Sequence, residues 1–551
     1  MRQHTFCNPV NINYMYQGYF CGRESADPAV VLFKGVYYLF ASHGSGYWYS
    51  DDLVNWSLIE VDLEKQPQFQ LFAPATMVYG SRLYLTHSQG GDMLYSENPK
   101  DPDSWINLGH AFEWNDPALF LDDDGKVYLY DGLSDAAPLR VARLDPAHDM
   151  ALLEGPVDIF QSDRDRRGFE RRGDANEIND KNPHLEGAWM FKANGRYYLT
   201  YAVPGTEYAA YCDGCAVADF PMGPFRSCDN SPVVYKATGF MRGCGHGCLF
   251  ADQNGKLWKM DTVSIGVNHM FERRLCLFPA KIGTDGRLYT NTVRGDYPMV
   301  YPHETAEPFS QSDAGLHLLS YGKIVSASSV LDKEHSPEKA ADENMKTWWS
   351  AKSGDAGEWL SLDLGSVCEV QALQVNFADQ DTSPVSGRSN GFAYCFLAEA
   401  SADGVHWKML IDRRENSDDK PHAYVALPAP QKLRFFRLTN VGQIPAKGKF
   451  AVSGLRIFGT GNGSAPEKAP VFAAERCRDE REMRVKWKAV PGAEGYFIRF
   501  GVNRNELHIH WQVIGETQST VRCLTAGVRY YVRVDAYNEN GITEGSNIQT
   551  V

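Results

Sequence analysis

The chain has no run of about 18 apolar residues, the length a membrane-crossing helix needs, so no membrane partner is expected. Long amphipathic helical patterns are absent as well, which leaves strands as the main element. Positive charge is in deficit: Lys and Arg number 55 against 69 Asp and Glu, for a formal net charge of -14. That balance argues against a nucleic-acid partner, whose phosphates need a basic surface. There is no His-Glu-x-x-His segment, so a zinc protease of that type is excluded. No apolar leader follows Met1, and 12 cysteines are scattered along the chain, so a cytoplasmic location is favoured. The alternative is a secreted protein whose leader was removed. Cys212, Cys215, Cys244 and Cys248 form two close pairs that admit a zinc site. The plainer reading is free, buried thiols on strands.

What the chain does have is 551 residues with 43% hydrophobic and 12% aromatic content, enough for several large cores. In residues 1–303 one pattern returns five times: a strand entry, an apolar strand, a polar turn with a glycine, and a second strand. The copies begin at Asp27, Phe72, Asp116, Glu186 and His246, and their turn glycines are Gly35, Gly80, Gly125, Gly195 and Gly255. Repeats of several short strands read as the blades of a propeller, whose inner strands face a central channel. Equivalent strand starts would then gather Asp27, Asp116, Glu186 and His246 in one place.

Converging carboxylates suit glycosidic hydrolysis. One must hold a proton for the leaving oxygen and another must activate water or attack the sugar carbon. A third can raise the acid's pKa by like-charge repulsion. Taken singly, an Asp-Pro at a strand entry is more often a turn residue. Glu186 is harder to dismiss, because nothing local requires a glutamate before Gly187.

These residues resemble glycoside hydrolase family 43, the five-bladed propeller hydrolases of arabinose- and xylose-containing glycans. The resemblance rests on Ala26-Asp27-Pro28, Asn115-Asp116-Pro117, Leu185-Glu186-Gly187 and Gly245-His246-Gly247. It implies an exo-acting, inverting α-L-arabinofuranosidase or β-xylosidase. Asp27 would be the general base and Glu186 the general acid, with Asp116 raising the pKa of Glu186 and holding it in place. It further implies Arg273 as a sugar contact, with strand alternation turning only one of Arg273 and Arg274 inward. Phe72 would be an apolar wall and Trp114 a stacking surface, and His246 would lie at the axis near a calcium ion or a water. No cofactor is required for the chemistry, and structural calcium is the one ion expected. The alternatives are a fructan-cleaving relative and a glycan-binding protein without catalysis. The charged segment from Asp163 to Asp180 reads as a long surface loop that shapes the pocket mouth.

Residues 318–459 resemble the coagulation-factor type C, or discoidin-like, jelly roll. The match runs through Asp342, Thr347-Trp348-Trp349, Glu358-Trp359, Asp403-Gly404 and Arg434-Phe-Phe-Arg437. That resemblance implies a calcium loop at Asp342. The segment from Gly459 to Pro470 has the composition of a flexible linker. Residues 471–551 look like a fibronectin type III domain, with Tyr530 as corner tyrosine. The expected architecture is therefore all-β: a five-bladed propeller, a jelly-roll sandwich and an Ig-like sandwich.

Overall fold

The computed structural model describes residues 3–17, 22–44, 46–109, 112–265, 269–382, 392–445 and 447–551. Met1, Arg2 and Cys21 lie outside the described residues, and with them part of the leader and thiol readings. Among the described residues the chain is nearly all β, with one α-helical turn at Pro308–Gln311. Among the described residues no helix is long and apolar enough to cross a membrane.

Five antiparallel sheets follow one another. Their first strands are Ala26–Phe33, Ala75–Tyr79, Ala118–Leu121, Glu186–Ala193 and Cys244–Ala251. Each first strand contacts the first strands of the sheets before and after it, and the fifth contacts the first. The sheets therefore stand around one axis as the blades of a closed propeller. A pairing of Thr5–Phe6 with Met299–Val300 fastens the ends of the propeller to each other. Between blades, aromatic and branched side chains fill the wedges, as with Phe40, Tyr47, Phe69 and Trp105 between the first two.

The repeats share a backbone device. At the head of each inner strand one residue has a positive φ: Asp27 at 53°, Ala73 at 41°, Asp116 at 48°, Gly187 at 60° and His246 at 50°. In blades one, four and five this residue sits inside a bulge, where the register slips. A left-handed residue there turns the chain sharply and aims its side chain at the axis. In blade four the residue in this position is Gly187, so Glu186 stands one position ahead of Asp27, Asp116 and His246. Phe72 likewise stands one ahead of Ala73.

The second unit is an eight-stranded sheet closed over its own core of Trp349, Leu362, Phe377, Phe436 and Leu455. Two of its strands, Trp359–Phe377 and His422–Asn440, each run 19 residues, and bulges let them bend over that core. It is tied to the propeller by buried arginines. Arg23 of the propeller pairs with Asp379 and Asp419, and Arg456, held by Glu343 of its own unit, donates to the Asp296 carbonyl of the propeller.

The last unit packs a three-stranded sheet against a five-stranded one around Met483, Trp487, Ile498 and Val532. The Tyr530 hydroxyl accepts the backbone N–H of Thr525 at 3.1 Å, which locks a corner of this sandwich. Two expectations from composition fail here. The segment after Gly459 is not a free linker, because it is fastened to the sandwich. Gly461 donates to the Glu539 carbonyl and Gly463 to the Asn540 side chain, and Ser464 accepts from Asn538. Residues 163–180 form a surface loop at both ends, with Arg172 at the cavity as expected, but the middle of the segment is not solvated. Phe169, Glu170, Arg171 and Asn176 are fully buried, and the core of blades three and four continues through Phe169 into the sandwich. Charge misled the reading, because each buried charge on this strap has a built partner: Glu170 faces Arg167, and Arg171 faces Asp479 and Glu482.

Candidate active site

Asp27, Asp116, Glu186 and His246 meet in a cavity of about 660 Å³ at the propeller axis, together with Phe72 and Arg273. Glu186 still reaches the group although it stands one residue out of register. The glycine after it makes this possible. A Cβ on Gly187 would stand 2.7 Å from the ring of His246.

Asp27 is buried, and both carboxylate oxygens are held. Oδ1 faces Arg273 Nη1 at 3.0 Å and His246 Nδ1 at 3.3 Å, while Oδ2 accepts from Ser42 Oγ at 2.5 Å. Burial pushes its pKa up, but the Arg273 guanidinium, His246, the Ser42 hydroxyl and His43 together hold it below the usual carboxylate range. Asp27 is therefore ionised. Arg273 is itself fixed by Glu24, whose Oε1 accepts from Nε at 2.6 Å. Its neighbour Arg274 turns the other way, to His422 of the second unit at 2.9 Å, as strand alternation requires.

Asp116 is held by Ser88, whose Oγ accepts the Asp116 backbone N–H at 2.8 Å. Burial raises its pKa to about 7. The nearby charges of Glu186 and Asp27 add to this, and His246 opposes it. Glu186 accepts from Tyr211 Oη at 2.6 Å and faces His184 Nε2 at 3.3 Å. Burial pushes Glu186 up too, but His184, His246 and Tyr211 outweigh it and leave it below the usual range. The direction expected from sequence is thus reversed in the resting site. Asp116 and Glu186 titrate as a pair, and His184 offsets the charge on Glu186.

His246 sits among Asp27, Asp116 and Glu186. Burial lowers its pKa, but those three charges and Asp213 raise it further, so the imidazole favours its cationic form. Its backbone N–H donates to Asp213 Oδ1 at 2.8 Å. Asp213 and Asp261 in turn hold the buried Lys259. The aspartate of Cys212-Asp213-Gly-Cys215 is thus the member that serves the site. The described cysteines are free, and the candidate zinc cysteines form no metal-binding group among the described residues. Asp116, Glu186 and His246 each present one ligand atom within 4.8 Å of the others. Calcium takes six to eight oxygens, and this set offers two carboxyl groups and one imidazole toward them. At Asp342 both carboxylate oxygens are already used, by the Asn344 N–H at 3.0 Å and the Thr347 hydroxyl at 2.7 Å.

Phe72 lines the cavity edge-on to His43, at 4.8 Å between ring centres. Trp114 does not line it. That ring is 1% exposed, packs in the core between blades two and three, and donates from Nε1 to the His87 carbonyl at 2.8 Å. It shapes the site from behind and cannot stack on a sugar. Sequence reasoning missed Glu24, Ser42, Ser88, His184 and Tyr211. Of these only His184, two residues before Glu186, had a position that pointed to it.

Residues 21–288 match the family model Glycosyl hydrolases family 43. Over that span the propeller is similar to family 43. Residues 324–451 match the F5/8 type C domain, which places the second unit beside the discoidin-like modules. A beta-xylosidase of Xylanibacter ruminicola is 30% identical over 135 residues, covering 20% of this chain and 38% of that protein. An arabinoxylan arabinofuranohydrolase of Paenibacillus polymyxa is 33% identical over 119 residues, covering 20% of this chain and 16% of that protein. The chain thus spans well under half the length of these curated relatives. A solved structure titled Bacteroides ovatus Xyloglucan PUL GH43B aligns over 99% of this chain and 98% of its own, at 14% identity and a TM-score of 0.44.

Proposed function

We propose that the protein is an inverting glycoside hydrolase that removes a terminal α-L-arabinofuranosyl or β-D-xylosyl unit from a plant-type glycan. The observation that carries this reading is the gathering of Asp27, Asp116 and Glu186 in one cavity, where Arg273 holds the Asp27 carboxyl down and burial pushes the Asp116 carboxyl up. Asp27 takes a proton from a water that attacks the anomeric carbon. Glu186 gives a proton to the leaving oxygen as the bond breaks. Asp116 keeps that proton at hand and passes it to Glu186 when the leaving oxygen enters. Arg273 keeps Asp27 ionised and faces the sugar. Names of xylosidases and an arabinofuranohydrolase among the relatives support a pentose in the pocket. The discoidin-like unit and the fibronectin type III-like sandwich accompany the propeller as accessory modules.

The test is a panel of nitrophenyl α-L-arabinofuranoside, β-D-xyloside and β-D-fructoside, run beside the Glu186→Gln variant. Pentoside release by the wild type is expected. In the variant it should fall by about a hundredfold or more on poor leaving groups. Proton NMR of the first-formed sugar should show inverted configuration, and retention would remove Asp27 from the role of base.

A further inference from the structure

Behind Glu186 lies a line of polar side chains that the hydrolytic reading leaves unexplained. His184 Nε2 faces Glu186 Oε2 at 3.3 Å, and its Nδ1 meets Asp135 Oδ1 at 2.6 Å. The other Asp135 oxygen accepts from Arg172 Nη2 at 2.8 Å. The backbone builds this line. Ser134 and Leu185 exchange hydrogen bonds at 3.0 Å, which sets the blade-three loop carrying Asp135 beside the entry to blade four carrying His184. Arg172 belongs to the buried strap. Its neighbour Arg171 reaches away from the pocket, to Asp479 Oδ2 and Glu482 Oε1 at 3.2 Å and the Arg522 carbonyl at 3.1 Å, all in the C-terminal sandwich. The strap backbone is locked to that sandwich as well, through Gly168 N–H to the Leu524 carbonyl and Ala526 N–H to the Arg166 carbonyl, both at 2.8 Å. Only a glycine fits at 168, since a Cβ there would lie 2.4 Å from the Arg522 carbonyl oxygen.

We infer that His184 is a positioning residue for the Glu186 carboxyl, and that the C-terminal sandwich sets its orientation through the strap, Arg172 and Asp135. The inference rests on the functional reading above and deepens it. Glu186 is held on one side by Tyr211 and on the other by His184, so the ring fixes the carboxyl plane toward the leaving oxygen. The sandwich is then a buttress of the pocket wall and not a spacer. The groups facing His184 are Glu186 and Asp135, with Arg172 beyond Asp135, Asp116 and His246 beyond Glu186, and Glu207 on the same pocket wall.

The variants are His184→Asn and Asp135→Asn, and the remote pair Asp479→Asn with Glu482→Gln, which loosens Arg171 without touching the pocket. Each is assayed on one glycoside with a poor and one with a good leaving group, across pH. The expected result for His184→Asn is a loss of about tenfold to a hundredfold in kcat on the poor leaving group, a much smaller loss on the good one, and a nearly unchanged KM. The alkaline limb should move up, because a cation beside the carboxyl pair is gone. The remote pair should change kcat in the same sense by a smaller factor. Equal loss on both leaving groups with an unmoved alkaline limb would overturn the inference. A wild type silent on every glycoside would instead count against the functional reading. In that case 13C signals of labelled histidine decide: the His184 ring must titrate at lower pH in Asp135→Asn and shift in the remote pair, and no change in either overturns the inference.

Discussion

Replacing Arg273 with methionine removes the charge that keeps Asp27 ionised while preserving most of the side-chain volume. At 3.0 Å and an effective dielectric near 20, the attraction between the guanidinium and Asp27 is about 5 kcal/mol. Part of it is shared, because Arg273 also holds Glu24. An arginine beside an aspartate commonly lowers the carboxyl by about one to three pH units. The acid limb of kcat/KM, which reports the base, should therefore move up by about one to three pH units in Arg273→Met. Each pH unit below the new limb costs about tenfold in rate. The same sign governs stability. Asp27 is depressed in the fold, so its ionisation stabilises the protein above the ordinary aspartate range, and that contribution disappears as pH falls through the folded value. Relative to the wild type, the variant should be less stable at neutral pH, where Asp27 would be ionised without its partner, and the deficit should shrink as pH falls and Asp27 takes up a proton. The assay is a pH profile of kcat/KM with acid denaturation followed in parallel. A rate that falls evenly at all pH, with the acid limb fixed, would mean that Arg273 acts on the sugar alone and that Asp27 does not depend on it.

Asp116→Asn should abolish most turnover and yet stabilise the fold. Its carboxyl is raised from 3.8 to about 7, so wild-type stability declines as pH rises through that range. Above pH 8 the asparagine variant should gain on the order of 4 kcal/mol at most by denaturant melt, and no gain would mean the pair does not repel. Gly187→Ala puts a Cβ against the His246 ring at a φ of 60°. The backbone alone costs about 1–2 kcal/mol. Turnover should fall with it, because His246 must move. Wild-type kcat in this variant would show that the ring position is not critical.

Much of the site could be read from the chain because the repeat carries it. Asp27, Asp116 and His246 occupy one structural position in three blades, and a left-handed residue at a strand head is marked in sequence by its distance from the next turn glycine. Glu186 was found by the same count, although the bulge residue of its blade is Gly187. Trp114 shows where the method stops. It lies two residues before Asp116, but ahead of the strand head the chain points back between blades, so nearness in sequence to Asp116 does not bring the ring to the cavity. Periodicity inside a blade says nothing about contacts between blades, which is why Glu24, Ser42 and Tyr211 went unseen.

The strap shows a different limit. Composition marks Asp163 to Asp180 as solvated, since charged residues are seldom buried. Burial becomes favourable only when partners wait in place, and here they come from a unit more than 300 residues away: Arg171 needs Asp479 and Glu482, which exist as partners only once the C-terminal sandwich has docked. The segment after Gly459 repeats the lesson with glycines in place of charges, since its polar backbone is satisfied by Asn538, Glu539 and Asn540 of the same sandwich. Both segments that looked loose by composition end on that sandwich, and one of them continues through Arg172 to the wall behind Glu186. A domain whose own chemistry is silent thus gains a role from what it holds still. Loosening its grip on Arg171 should be felt at the Glu186 carboxyl before it is felt in global stability.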